Sequence, residues 1–159
     1  MNPLIEEYYR RPKSEAYGLH LSVPPLPRYA RSARTALSDF ARDHHVASLD
    51  IENLTFALGE ALANAIEHAK CRRDIDVALT VDDERIVATV ADKGCGFENP
   101  PHGDVPFPAD AQQEGRGFAI MQRCTDFFDV RSTPGEGTIV TMGRYRSERS
   151  GTRSWLVKR

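Results

Sequence analysis

The sequence lacks an excess of charge of one sign, a long apolar run and paired cysteines, and each absence excludes a class of protein. Its 21 basic and 23 acidic residues leave a formal net charge of −2, which argues against a general nucleic-acid or membrane-surface binder. No apolar run approaches the ~18 residues that a membrane-spanning helix needs. The three cysteines are widely spaced and form no CxxC pair, so they predict neither a disulfide framework nor a zinc site. They are Cys71, Cys95 and Cys124.

The length of 159 residues suits one domain with a core of its own. The first residues, MNPLIEEYYR, place acidic side chains where a secretory signal has a basic and then an apolar segment. We therefore expect a cytoplasmic protein with reduced thiols. We also expect a flexible N-terminal arm over residues 1–17, one compact domain over 18–146 and a basic tail over 147–159.

Periodicity and turn residues predict an alternation of strands and helices. Asp50 is a plausible N-cap for the second helix, and acidic residues 82–84 predict a hairpin turn. The predicted strands are Leu19–Val23, Ile75–Val81, Ile86–Val90, Phe127–Ser132 and Thr138–Tyr145, and the predicted helices are Pro27–His45, Ile51–Ala69 and Phe118–Cys124.

The first candidate functional feature is a carboxylate and a carboxamide on the second helix. Glu60 and Asn64 are four residues apart and so share one helix face, at the edge of the apolar arc. A carboxamide oxygen suits Mg²⁺, and a carboxylate can order and deprotonate a nucleophile. A buried asparagine that only satisfies backbone groups is the alternative.

The second feature is the segment Asp92-Lys-Gly94-Cys-Gly96-Phe97, directly after a predicted strand. Its glycines allow a close backbone approach to a ligand. Asp92 could accept a hydrogen bond from an exocyclic amine such as that of adenine. A tight turn with no ligand is the alternative, because Asp and Gly are common turn residues.

The third feature is the segment Gly115-Arg116-Gly117-Phe118, at the start of a predicted helix. Free N–H groups and the helix dipole at such a terminus favour an anion, and Arg116 adds a guanidinium that suits phosphate. A flexible linker into a capped helix is the alternative.

In this order the three motifs resemble those of the GHKL ATP-binding family, over roughly Leu19 to Tyr145. The N-box is matched by Glu60-Ala-Leu-Ala-Asn64-Ala-Ile-Glu-His68. The two glycine boxes are matched by Asp92-Lys-Gly-Cys-Gly-Phe97 and by Gly115-Arg-Gly-Phe-Ala-Ile-Met121, and the threonine near the end of the family domain is matched by Thr138.

The resemblance implies a Bergerat fold, an α/β two-layer sandwich with three helices on one face of a mixed, mainly antiparallel sheet. It implies ATP or ADP with Mg²⁺ as ligands, Glu60 as general base, Asn64 as the Mg²⁺ ligand, Asp92 at the adenine amine and Thr138 at the adenine end. The full set of implied nucleotide-binding residues is Asn64, His68, Asp92, Gly94, Gly96, Phe97, Gly115, Arg116, Gly117, Phe118 and Thr138.

Within GHKL proteins the short chain is similar to the anti-sigma-factor serine kinases of the RsbW and SpoIIAB group. This resemblance implies a homodimeric serine/threonine protein kinase that phosphorylates a STAS-domain anti-sigma antagonist and sequesters a sigma factor. No direct contact with nucleic acid or a membrane is expected.

Two alternatives stay open. One is an ATP- or ADP-sensing binding switch without catalysis, although a pure sensor has no need of the base Glu60. The other is a histidine kinase fragment, although His44 and His45 lie too close to the N-box for a separate phosphoacceptor helix. One departure from the family concerns the predicted lid, residues 98–114, which is rich in proline and acid and leaves Arg116 as the only nearby cation.

Overall fold

The computed structural model describes residues 15–68, 70, 72–108 and 115–147. Cys71, most of the predicted arm and tail, the predicted helix end at residue 69 and part of the predicted lid lie outside these residues. Strand β1 begins at Tyr17, one residue before the predicted start of the domain. Ser147, the first residue of the predicted tail, donates its N–H to Asp50.

Five strands form one sheet in the order β1-β2-β3-β5-β4. They are β1 (Tyr17–Val23), β2 (Ile75–Val81), β3 (Arg85–Asp92), β4 (Phe127–Thr133) and β5 (Gly137–Tyr145). Every neighbouring pair of described strands is antiparallel. The predicted α/β two-layer sandwich is confirmed, but the described strands contain no parallel pair, which a mixed sheet would require. Tight hairpins make the pairs β2–β3 and β4–β5 antiparallel. The longer connections also bring β1 to β2 and β5 to β3 in opposite directions, so no parallel pair arises.

Three helices cover one face of this sheet: α1 (Pro27–Asp43), α2 (Ser48–His68) and α3 (Arg116–Cys124). Helix α1 begins with Pro27, whose fixed φ and missing N–H suit a first turn. Its buried residues, Ala33, Leu37 and Ala41, recur every four positions and form the stripe that packs on the core. Among the described residues, no helix has the length and apolar character needed to cross a membrane.

The core lies between the helices and the inner face of the sheet. Alternate residues of β2 are buried, as expected for a strand with one covered face. Leu79, Ala88 and Met142 are paired in register across three neighbouring strands and are fully buried. Leu58 and Leu62 of α2 belong to the same buried cluster, so α2 is held firmly along its length.

The predicted N-cap role of Asp50 is wrong, because α2 begins at Ser48 and Asp50 lies inside its first turn. Asp50 is fully buried. The Arg144 guanidinium donates from Nε to one carboxylate oxygen over 2.8 Å, and the Ser147 N–H donates to the other over 2.8 Å. Burial opposes the charge, but these donors outweigh it and hold the pKa of Asp50 below its ordinary value. The carboxylate therefore ties the end of β5 to the start of α2.

Candidate functional site

A cavity of about 320 Å³ opens between α2, α3 and the ends of β3 and β5. Its apolar walls include Ala61, Ala65, Val90 and Val140. Nine of the residues singled out by the sequence motifs also line it: Asn64, His68, Asp92, Gly96, Phe97, Gly115, Gly117, Phe118 and Thr138. A mostly apolar cavity with a few convergent polar groups is typical of a small-molecule site.

Asp92 and Thr138 form the polar end of this cavity. They are cross-strand partners on β3 and β5, so their side chains leave the same face of the sheet. Gly94 is buried and donates its N–H to the Asp92 carboxylate over 2.9 Å, but it is not a lining residue of the cavity. Burial raises the pKa of Asp92, although the N–H groups of Gly94 and Thr138 oppose the rise. The end of the cavity therefore presents a half-buried acceptor of hydrogen bonds.

The glycines of the first motif interlock with the turn between β4 and β5. Gly96 has a φ of +60°, and a Cβ there would overlap the carbonyl of Thr133. Gly137 has a φ of +107°, and a Cβ there would overlap the carbonyl of Asp92. The Gly135 N–H also donates to the Cys95 carbonyl over 2.6 Å. The motif is thus a tight turn and a cavity wall at once, so the two interpretations of its glycines are compatible.

Aromatic rings form one side of the cavity. The centroids of Phe97 and Phe118 lie 6.1 Å apart, and Phe118 lies 6.1 Å from Phe128 of β4. These separations fall within the range of favourable tilted ring pairs. The two motif phenylalanines are therefore packed against each other and against the sheet, which links both glycine motifs.

Asn64, which lines the cavity, and Glu60, which does not, meet the first turn of α3 at Gly117. A Cβ on Gly117 would lie 3.1 Å from Asn64 Nδ2, 3.2 Å from Asn64 Oδ1 and 3.4 Å from Glu60 Oε2. A Cβ at these distances would make the side chains of α2 give way by a few tenths of an ångström, so the glycine favours the close approach. The N-terminus of α3, whose first N–H groups have no carbonyl partner within the helix, therefore lies beside the two polar side chains of α2.

The chemistry of this donor set fits a magnesium–phosphate complex better than an all-protein metal cage. The described residues contain no group of three or more His, Cys, Asp or Glu placed to hold a metal ion. Mg²⁺ usually keeps several waters and takes one or two protein oxygens together with substrate phosphates. Asn64 supplies such an oxygen, and Glu60 lies beside it.

The remaining charged and polar residues of the motifs are spread around the cavity. His68 is the exposed last residue of α2 and lines the cavity, and its Nε2 lies 3.9 Å from Glu67 Oε2. Arg116 is the first residue of α3 and is half-buried outside the lining. Lys93 lies 3.5 Å from the carboxylate of Asp76 on the neighbouring strand. Lys93 is thus placed away from the cavity.

Two histidines considered as phosphoacceptors are not part of the cavity lining. His44 stacks on Tyr17 with centroids 4.3 Å apart, and its carbonyl accepts a bond from Arg146 over 2.9 Å. His45 takes a left-handed φ of 59° just after α1. Their surroundings are those of a helix end that is tied to the last strand.

Sequence reasoning missed two polar residues, one bonded to lining residues of the cavity and one bonded to the predicted lid. Ser132 of β4 accepts the Phe97 N–H over 2.9 Å and contacts Thr138 Oγ1 at 2.9 Å. Gln122 of α3 accepts the Val105 N–H and donates to the Gly103 carbonyl, each over 2.7 Å. The alternation of β4 could have placed Ser132 on the inner face, but no sequence pattern indicates the contact of Gln122 with the predicted lid.

Comparison with known proteins agrees with the motifs. Residues 23–144 match the model of the histidine kinase-like ATPase domain. An anti-sigma F factor of Caldanaerobacter subterraneus subsp. tengcongensis is 34% identical over 118 residues, which are 71% of this chain and 82% of the relative. The serine-protein kinase RsbW of Oceanobacillus iheyensis is 26% identical over 141 residues, 82% of this chain and 87% of the relative.

A solved structure gives the same fold. The structure of the RsbU and RsbW domains of a Mycobacterium tuberculosis protein superposes on this chain with a TM-score of 0.64 at 21% identity. The superposition covers 86% of this chain and 35% of that one. The GHKL resemblance drawn from the three motifs is thereby confirmed. The chain belongs to the family of histidine kinase-like ATPase domains.

Proposed function

We propose that the protein is an ATP-dependent serine/threonine protein kinase and anti-sigma factor, which phosphorylates a STAS-domain anti-sigma antagonist and sequesters a sigma factor. The observation that carries the proposal is the meeting of Glu60 and Asn64 with the first turn of α3 beside Gly117. A base, a metal ligand and an anion-binding helix terminus are the groups that phosphoryl transfer from ATP needs.

ATP lies along the cavity in this proposal. Its adenine amine donates to Asp92, and the base rests between the apolar walls near Phe97. The triphosphate reaches the N-terminus of α3, where backbone N–H groups of Gly115–Phe118 and the Arg116 guanidinium neutralise its charge. Mg²⁺, when bound, neutralises phosphate charge during transfer, and Asn64 is the residue that would hold it.

Glu60 acts as the base. Its carboxylate accepts the proton of the partner's serine or threonine hydroxyl while that oxygen forms a bond to the γ-phosphorus. The bond between the γ-phosphorus and the oxygen shared with the β-phosphate breaks, so ADP leaves with the electron pair. The interior position of α2 fixes the Glu60 backbone, since its neighbours Ala57, Leu58 and Ala61 are buried.

The partners are proposed from the relatives. Proteins named anti-sigma F factor and serine-protein kinase RsbW are similar over most of this chain. We propose a homodimer through β1, which pairs only with β2 among the described strands and so presents an open edge. Sedimentation at micromolar concentration should give twice 17.8 kDa, and a monomer only would contradict this part of the proposal.

An ATP- or ADP-sensing switch without catalysis is the second candidate. It uses the same cavity and the same glycine turns. These features favour nucleotide binding, whether or not phosphate is transferred. The placement of Glu60 beside Asn64 and Gly117 favours the kinase, because a switch has no use for a base there.

One experiment separates the two candidates. The purified protein is incubated with γ-labelled ATP, Mg²⁺ and the STAS-domain protein of its own source, and label on the partner is measured. Transfer of label supports the kinase. Nucleotide-dependent binding of the partner with no transfer supports the switch, and the absence of any ATP binding contradicts both.

A further inference from the structure

We propose that Arg144 is a positioning residue for the phosphate end of the nucleotide site, because it sets where the first turn of α3 lies relative to Glu60 and Asn64. This inference rests on the proposed function, since it concerns the same site. Arg144 lies near the end of β5, outside the three sequence motifs and outside the lining of the cavity. It therefore acts through α3 and not by touching the nucleotide.

Arg144 joins three elements at one point. Its Nε donates to the carboxylate of Asp50, in the first turn of α2, over 2.8 Å. Its Nη1 donates to the carbonyl of Cys124, the last residue of α3, over 3.1 Å. The Asp50 side chain is fully buried and that of Arg144 is 16% exposed, so solvent screens these charge-assisted bonds only weakly. The start of α2, the end of α3 and the end of β5 are thus held together.

The bond to Cys124 also closes the C-terminal end of α3. The last carbonyls of a helix have no partner within the helix, and a cation near them interacts favourably with the helix dipole. The Met121 carbonyl accepts the Thr125 hydroxyl over 2.7 Å, and the Cys124 carbonyl accepts the guanidinium. Arg144 therefore supplies both a hydrogen bond and the sign of charge that this helix end favours.

Helix α3 transmits this placement to the phosphate end of the site. It has nine residues and so a length of about 13 Å, and its residues Ala119 and Met121 are fully buried. Among the described elements, α3 packs chiefly on α2 and little on the strands. The residues before it belong to the long predicted lid. The orientation of α3 therefore depends on its contact with α2 and on its last turn, where Arg144 binds.

The first turn of α3 lies beside the polar side chains of α2. A Cβ on Gly117 would lie 3.2 Å from Asn64 Oδ1 and 3.4 Å from Glu60 Oε2. The two helices are thus fixed to each other at two places, through Arg144 near the start of α2 and by this close approach farther along α2. Loss of Arg144 should let the first turn of α3 shift away from Asn64. The base end of the cavity should stay in place, because β3 and β5 form it.

The test compares the affinity for Mg-ATP, measured by calorimetry, with the affinity for adenosine, measured by competition against Mg-ATP. Adenosine lacks the phosphates and so reports on the base end alone. Arg144→Met should lower the Mg-ATP affinity roughly tenfold, the weight of one hydrogen bond to phosphate, and should leave the adenosine affinity nearly unchanged. The ratio of the two affinities should therefore fall. Arg144→Lys keeps the charge and a donor, and it should restore part of the Mg-ATP affinity.

Arg146→Met is the matched control, since Arg146 directly follows β5. Its guanidinium donates to three backbone carbonyls over 2.9 to 3.3 Å, those of Asp82, His44 and His45. None of these belongs to α3, so the variant should lose stability but keep the wild-type ratio of Mg-ATP to adenosine affinity.

A folded Arg144→Met with the wild-type ratio would overturn this inference, because Arg144 would then only stabilise the fold. An equal change of the ratio in Arg146→Met would overturn it as well. If Arg144→Met does not fold, Arg144→Gln, which is shorter and uncharged, gives the same comparison. A wild type that binds neither Mg-ATP nor adenosine would overturn the proposed function itself.

Discussion

The carboxylate of Asp92 accepts the backbone N–H of Gly94 over 2.9 Å. Thr138 lies directly opposite Asp92, so the end of β3 and the start of β5 meet at the polar end of the cavity. The half-buried carboxylate nevertheless keeps a raised pKa, because two N–H donors do not compensate for its loss of hydration. The ionised carboxylate is therefore costly to the fold in the free protein, although it accepts the Gly94 N–H.

The first prediction is that Asp92→Asn separates stability from binding. The raised pKa means that ionised Asp92 destabilises the fold, so the neutral variant should have a higher free energy of unfolding at pH 7 than the wild type. The difference should vanish as the pH falls below the ordinary carboxyl pKa of about 3.9. ATP affinity should drop roughly 10- to 100-fold, because a hydrogen bond to a charged acceptor is lost. Urea unfolding and calorimetry measure the two effects, and a variant that loses stability together with affinity would contradict the prediction.

The second prediction is that Asn64→Ala removes the Mg²⁺ dependence of nucleotide binding without unfolding the domain. Asn64 is only half-buried, so its truncation leaves the core intact. Calorimetry with ATP, with and without Mg²⁺, should show a strong dependence on the metal in the wild type and little in the variant. Asn53→Ala is the control, since Asn53 donates to the Leu49 carbonyl at the start of the same helix and is not a lining residue of the cavity. A folded Asn64→Ala with unchanged Mg-ATP affinity would remove Asn64 from the site.

The third prediction concerns the Asp50–Arg144 ion pair. Asp50→Asn should lower the free energy of unfolding by about 3 kcal/mol, because it leaves a largely buried guanidinium without its counter-ion. The folded-state pKa of Asp50 lies below its unfolded-state value. The wild type therefore has this stabilisation at neutral pH and loses it as the pH falls through the folded-state pKa, whereas the variant lacks that part of the acid dependence.

Asp39→Asn provides the comparison for the ion pair. Asp39 bonds Arg42 over 2.9 Å with both side chains more than 60% exposed, so its loss should cost less than about 1 kcal/mol. Urea unfolding from pH 7 to pH 3 measures both variants. Equal losses of unfolding free energy at the two positions would show that the buried ion pair of Asp50 stabilises the fold no more than the exposed one of Asp39.

The elements and the site motifs were predictable because each has a local signal. The alternation of Ile75–Val81 and the four-residue stripe of α1 depend on neighbours in sequence, and both were placed within one or two residues. The helix start at Asp50 was mispredicted because the partner that decides it, Arg144, is 94 residues away. A side chain that could cap a helix was instead used for a long-range ion pair.

The contacts of Ser132 and Gln122 were not predictable for the same reason. Ser132 meets Phe97 only because β4 and the first glycine motif are brought together by the sheet. The glycine positions of the motifs could be read from sequence, but their purpose could not. Gly96 and Gly137 are needed where a loop and a turn cross, and that crossing exists only in the folded chain.

The fourth prediction is that Gln122 ties the described start of the predicted lid to α3. Gln122→Ala removes two bonds, to Gly103 and Val105, so the Val105 amide should exchange with solvent roughly tenfold faster. Gln122→Glu keeps the acceptor for the Val105 N–H and loses the donor to Gly103, and it should have an intermediate rate. Hydrogen exchange resolved to single amides measures this. An unchanged rate in Gln122→Ala would show that the segment is held by other contacts, such as Arg123 over the Phe107 ring at 3.8 Å.

The last prediction separates the kinase from the switch through Glu60. Glu60→Gln keeps the shape of the side chain and removes the base, and the half-buried position tolerates a neutral amide. The variant should bind Mg-ATP and the sigma partner as the wild type does. Its phosphate transfer to the STAS-domain partner should be slower by roughly 10²–10⁴-fold, which is the usual weight of general-base catalysis. Glu67→Gln, on the same helix but exposed, is the control and should transfer phosphate at the wild-type rate. Transfer by Glu60→Gln at the wild-type rate would remove the catalytic role, and Glu60 would then be a residue that only supports the turn at Gly117.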